Sequence, residues 1–258
     1  MYIMEYLFIL FSFLFGTIVG SFLNALSFRF NTGKSMMTRS SCMVCNTEIK
    51  WYDLIPGISF ILLEGKCRSC ESRISIQYPI VEILTGVLFA GIYSIYGITI
   101  ESIILFILFA LMVFIFVYDY HHKIILNQFV YPLIFLSFLK IFVIGNTSSI
   151  NYFDIYSVYT AIGLFLFFGA FWFFSKGTWM GLGDAKLAFA IGLILGPING
   201  VSAIVLGFWL GALVGLGIMF YEKVIRRNNS LGMKTEIPFA PFLLIGTWLV
   251  FFFNISLF

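Results

Sequence analysis

Eight apolar runs dominate this chain, at residues 3–27, 79–98, 101–118, 125–145, 153–175, 184–198, 200–221 and 238–257, against a hydrocarbon core about 30 Å thick. Polar punctuation separates each run from the next. With 61% hydrophobic and 10% charged residues and 33 Phe in 258 residues, the chain departs far from soluble domains, which are about half apolar and a quarter charged. A soluble fold of this length has no interior large enough for that much apolar surface, so lipid must be the solvent for most of it. The first run is followed by further runs rather than by a polar mature chain, which marks it as a retained helix and not a secretory signal. The expected fold is an all-α polytopic membrane protein with about eight transmembrane helices. The 184–198 run is short for a crossing and is bounded by glycine-containing turns. No low-complexity tract or internal repeat is visible.

Orientation follows from Lys and Arg, which accumulate on the cytoplasmic side. With residue 1 outside, the cytoplasmic segments are about 28–78, 119–124, 176–184 and 222–237. Those segments and the adjoining helix ends hold fourteen of the fifteen positive residues, including Lys34, Lys223, Arg226, Arg227 and Lys234. Lys140 alone lies nearer the outer side, where its stem can snorkel. Removing one helix would scramble the later loops, so the charge pattern also supports the count of eight. The chain then divides into a first helix (1–27), a cytoplasmic loop (28–78) and a helical core (79–258).

All four cysteines fall in that loop, as Cys42-x-x-Cys45 and Cys67-x-x-Cys70. Paired spacing with no leftover thiol, on the reducing side of a membrane, points to a metal rather than to disulfides. Each pair can grip one ion from a tight turn, and two pairs complete a tetrahedral sulfur site. Four soft thiolates favour zinc, with iron second. A loop of roughly fifty residues has too little core to fold unaided, and a bound ion supplies the missing stability. Four cysteines leave no open coordination position, so the expected zinc is structural. A nucleic-acid role for such a ribbon is not expected at a membrane surface.

Three acidic residues lie in or at the edge of apolar runs on the cytoplasmic side: Glu82, Asp119 and Asp184. A charge at mid-membrane costs about 2.5–3.5 kcal/mol on insertion scales, so such residues are functional candidates. Taken singly each has a structural explanation. Asp184 after Gly181-Leu182-Gly183 suits a helix N-cap, Asp119 can pair with Lys123 four residues on, and Glu82 can neutralise a nearby Lys or Arg. Taken together, Asp119 and Asp184 fall at one depth on one face, where two carboxylates can share a proton. One then serves as base towards water while the other polarises a carbonyl. Gly181 and Gly183 would let backbone approach an extended substrate. His121 and His122 point about 100° apart on a helix, poor geometry for one metal ion. The motifs of serine hydrolases, zincins and P-loop pumps are absent.

These residues resemble the type IV prepilin peptidase family. The matching blocks run in order: Gly20-Ser21-Phe22-Leu23-Asn24 with Arg29; the first cysteine pair followed by Ile49 to Pro56; Gly65-Lys66-Cys67-Arg68-Ser69-Cys70; Tyr78-Pro79-Ile80-Val81-Glu82; and Met180-Gly181-Leu182-Gly183-Asp184, similar to the Gly-x-Gly-Asp signature of intramembrane aspartic proteases. Against that pattern, Leu126 stands where a proline is usual, His121 replaces a second acidic residue, and Met43 follows Cys42 in place of proline. The resemblance implies a peptidase that removes the basic leader of type IV prepilins and pseudopilins at the cytoplasmic face of the bacterial inner membrane. It further implies, in many members, N-methylation of the new terminus with S-adenosylmethionine. Asp119 and Asp184 take the catalytic positions.

Two other classes compete. A non-catalytic scaffold of a secretion or pilus system, docking a partner through its zinc loop, explains the cysteines but not two aspartates at one depth. A proton-coupled transporter would place its carboxylates at the midplane and show repeat symmetry.

Overall fold

The computed structural model describes residues 2–31, 39–145, 152–178, 180–221 and 238–258. Five of the basic residues used to orient the chain, Lys34, Lys223, Arg226, Arg227 and Lys234, lie outside them. The described chain is helical, with only isolated bridges in the loop. Its elements are α1 (Tyr2–Arg29), a short 3-10 turn (Trp51–Leu54), α2 (Ile58–Leu62), α3 (Gln77–Tyr96), α4 (Ile100–His122), α5 (Asn127–Gly145), α6 (Tyr152–Ser175), α7 (Leu182–Leu195), α8 (Pro197–Phe220) and α9 (Ala240–Phe253). Eight of them coincide with the eight apolar runs. Among the described residues, five helices are long and apolar enough to cross a membrane, and others are shorter apolar helices. The chain is a multi-pass membrane protein.

Two compact units divide it, residues Met1–Val117 and Tyr118–Phe258. In the first, α1 packs along α3. Lipid tails are as apolar as leucine, so helices in a bilayer associate by close packing rather than by water exclusion. The Gly16-Thr17-Ile18-Val19-Gly20 stretch supplies that approach. A Cβ on Gly16 would stand 2.7 Å from the Thr85 carbonyl oxygen, and one on Gly20 2.9 Å from the Glu82 Cα. Phe89 then stacks on Phe106 of α4, with ring centroids 4.6 Å apart.

In the second unit α7 is the centre, packed by α5, α6, α8 and α9. At 14 residues it is about 21 Å long, short of the bilayer core. Ten of those residues are buried, so protein rather than lipid surrounds it, and a helix so enclosed has no need to span. Its C-terminal carbonyls need donors. Lys140 supplies one, its Nζ donating to the Ile194 carbonyl at 3.2 Å. The side chain whose stem can snorkel thus caps a neighbouring helix.

Candidate active site and metal site

Asp119 lies one turn before the end of α4. The helix stops where Lys123 takes a left-handed conformation (φ 53°), its backbone N–H donating to the Asp119 carbonyl at 2.8 Å. The expected Asp119–Lys123 ion pair is therefore not formed; that spacing ends the helix. The Asp119 side chain is buried, 4% exposed. Its carboxyl accepts from the backbone N–H of Ala240 in the first turn of α9, where helix N–H groups lack intrahelical partners and favour an anion. Its Oδ2 is buried with no hydrogen-bond partner among the described residues.

Asp184 is also buried, 9% exposed, in the first turn of α7. Gly181, not Asp184, is the N-cap of this helix, and the Asp184 side chain accepts from the Gly181 backbone N–H. That is the return half of a capping box, in which the third helical residue reaches back to the cap. The structural explanation of Asp184 thus holds in a modified form, and the same bond aims the carboxyl. The charge of Asp119 acts on Asp184. Among the described residues neither carboxylate forms an ion pair with a cation. Two buried acids without a cation partner among the described residues are the arrangement that a shared proton would require.

What holds α7 in place was not read from the sequence. A Cβ on Gly183 would lie 2.7 Å from the Ile125 Cβ, so this glycine admits the chain's own α4–α5 connection where a gap for substrate was expected. Three residues on, Lys186 donates to Asn127 Oδ1 at 2.7 Å and to the Tyr131 hydroxyl at 3.0 Å. Asn127 and Tyr131 are one turn apart at the start of α5. Lys186, the fifth residue of α7, stands near the positive end of the helix macrodipole, and that mismatch was the available signal of a specific partner. The role of Ala240 had a weaker signal, the Pro-Phe-Ala-Pro run at 238–241 that marks a helix start.

Glu82, in the first unit, forms no ion pair with a Lys or Arg among the described residues. Its Oε2 accepts from the Gly57 backbone N–H at 2.8 Å, with a further bond from Ser21. His121 and His122 are exposed, with rings 6.4 Å apart, and join no metal-binding group among the described residues.

The four cysteine sulfurs lie within 4.8 Å of one another, close enough to hold a metal ion. Each pair sits in the same small hairpin. Cys42 N donates to Thr47 O and Asn46 N to Cys42 O; Cys67 N donates to Ser72 O and Glu71 N to Cys67 O. Asn46 and Glu71 are both left-handed. The loop is thus locally duplicated, a repeat of hydrogen bonds at matched spacing that residue identities conceal. Backbone N–H groups, Cys45 first and then Val44, pull the Cys42 thiol down to about 6, which favours the thiolate a metal requires. The hairpins are tied to the 3-10 turn by Arg68, whose guanidinium grips Asp53 at 2.6 and 3.0 Å.

Profiles for two protein families match in chain order. The bacterial peptidase A24 N-terminal domain covers residues 14–96, with all four cysteines, and the type IV leader peptidase family covers residues 106–216, with both aspartates. A prepilin leader peptidase/N-methyltransferase of Bacillus subtilis is 30% identical over 246 residues, which is 95% of this chain and 94% of that protein. The chain belongs to the type IV leader peptidase family. A second such relative, from Vibrio cholerae, is 29% identical and covers 96% of this chain and 98% of its own. One from Pseudomonas aeruginosa is 28% identical over 94% and 89%. This leader peptidase family member is therefore a membrane enzyme, and its relatives carry names for two activities, peptidase and N-methyltransferase. No solved structure matches it. Ala240 lies beyond both matched ranges.

Proposed function

We propose that this enzyme is an aspartic endopeptidase that removes the basic leader of type IV prepilins and pseudopilins, with Asp119 and Asp184 as its catalytic pair. The observation that carries the reading is the second unit's two buried carboxylates, each aimed by a backbone N–H and neither paired with a cation among the described residues. Asp119 Oδ2, which no described donor faces, is the oxygen to which we assign the shared proton. Asp184 as carboxylate takes a proton from water, and the oxygen adds to the scissile carbonyl carbon. The Asp119 proton passes to the carbonyl oxygen. Collapse of the tetrahedral adduct breaks the C–N bond as Asp184 returns its proton to the leaving amine and a hydroxyl of the adduct returns one to Asp119, giving one carboxyl and one amino terminus.

The bilayer selects the substrate. A precursor with a positive leader and an apolar helix lies across the inner interface, and the N-out topology with a cytoplasmic cysteine loop puts the catalytic pair at the same face. The metal is zinc in a closed structural site. The Cys42–Cys70 Sγ separation of 3.8 Å matches the edge of a tetrahedron with Zn–S bonds of about 2.3 Å. The new N-terminus is further N-methylated, with S-adenosylmethionine, when bound, supplying an electrophilic methyl group. A cavity of about 270 Å³ beside α1 offers Arg29, Ser21 and Ser40 on otherwise apolar walls. That lining suits a carboxylate but has no acidic acceptor for a ribose, so the donor's site is not assigned to it.

The test is cleavage of a prepilin by purified enzyme, compared with Asp119→Ala and Asp184→Ala. Cleavage lost in both with zinc retained supports the pair. A normal rate in either variant overturns it.

A further inference from the structure

The sequence presents residues 28–78 as the water-soluble part of the chain, yet part of that loop does not stay outside the ends of the helices. Residues Leu54 and Pro56 form one wall of the cavity whose other wall is α1, from Ile18 and Ser21 to Arg29. Ser21 is eight residues before the end of α1, roughly 12 Å along the axis. On the other side the Gly57 N–H donates to Glu82, five residues into α3 and so roughly 7 Å beyond its first residue. Two independent contacts thus bring residues 54–57 back alongside the membrane helices, inside both of their ends.

The limb carrying these residues, Trp51 to Leu62, is coated with large apolar side chains. Trp51 is 78% exposed, Ile61 76%, Leu62 75% and Ile58 55%. None faces a core, and a soluble loop would not display four of them in twelve residues. The patch is continuous, through Leu54 and Pro56, with the exposed flank of α1 at Ile18 and Phe22, which is a lipid-facing surface in a chain that spans the bilayer. Beyond the limb the loop turns polar at Glu64 and Lys66, where the second cysteine hairpin begins.

We propose that residues 51–62 form a re-entrant limb immersed in the membrane interface, with lipid as the partner of Trp51, Ile58, Ile61 and Leu62, while the cysteine hairpins stand in water. Tryptophan is the side chain most at home at that depth, and a helix whose apolar residues face outward is stable there as it is not in water. The part-buried Glu82–Gly57 bond is the hinge pin that sets the limb's depth. The metal then has a further consequence: by folding the hairpins on either side, it closes both ends of a segment that lipid alone would hold loosely.

The experiment uses the full chain in phosphatidylcholine/phosphatidylglycerol vesicles, with wild type and Trp51→Phe compared so that their difference isolates one of the five tryptophans. Metal content and proteolytic resistance confirm that the variant is folded. The Trp51 emission is expected to be quenched by lipid brominated near the headgroup at least about twofold more strongly than by aqueous iodide, as for an interfacial tryptophan. Iodide quenching equal to or stronger than bromolipid quenching overturns the proposal and makes the limb a water-exposed surface, open to a protein partner.

Discussion

Asp53 in the cysteine loop and Asp119 at the end of α4 are both acids held in fixed positions, and the means of holding them differ. Asp53 is clamped by the Arg68 guanidinium, whose hydrogen bond and charge keep its carboxyl below the usual carboxylate range. An acid so neutralised ties two loop segments together and has no proton to exchange near neutrality. Among the described residues Asp119 has the Ala240 backbone N–H and no cation partner, and its charge acts on Asp184. A backbone donor fixes the direction of a carboxyl without cancelling its charge. The contrast between counter-ion and peptide dipole separates a structural acid from one kept available for chemistry.

The comparison breaks most visibly at the proposed catalytic pair. Asp119→Asn and Asp184→Asn are each expected to lower cleavage by about a thousandfold or more, as for loss of a general acid or base. The double variant is expected to be no worse than either single one, because the pair acts as a unit. A double variant that loses the product of the two single effects would show independent roles.

Next in size is Gly183→Ala. Its methyl group collides with Ile125 and shifts the turn carrying Asp184, with kcat expected to fall about tenfold to a hundredfold, since misplacement of about 1 Å has effects of that order. Adding Ile125→Ala should restore part of the loss. No recovery would mean that the glycine faces substrate instead.

Lys186→Met removes the bonds to Asn127 and Tyr131 while keeping the stem. A kcat loss of about tenfold with KM unchanged is expected, the signature of an interaction felt in the transition state only. A change confined to KM would make Lys186 a substrate contact.

The smallest effect sharpens the other side of the comparison. Arg68→Met should lower Tm by only about 2 °C at pH 7, because exposed ion pairs contribute little. The folded pKa of Asp53 lies below its unfolded value, so its contribution is present above the unfolded value and lost as pH falls through the folded one. The Tm difference between variant and wild type should therefore fade below about pH 4. A difference that persists in acid would point to packing of the Arg68 stem, not its charge.

What could be read from residues alone was whatever depends on short range or on bulk solvent preference. The apolar runs located the eight long helices because partition into lipid is a sum over consecutive residues. The cysteine spacing located the four-sulfur cluster that can hold a metal because a Cys-x-x-Cys turn closes on itself. The proposed pairing of Asp119 with Asp184 was legible through depth, inferred from which ends of α4 and α7 share a face, and through the family resemblance. The tertiary structure decided the rest. Asp119 meets an N–H from Ala240, 121 positions away in the chain; Gly183 abuts Ile125; Lys186 finds Asn127 and Tyr131; Glu82 finds a peptide N–H where a cation was expected. Each of these is a contact between elements far apart in sequence, made by backbone groups that every residue carries or by side chains with several eligible partners. A sequence names the donors and acceptors, but only packing at ångström distances selects which of them meet.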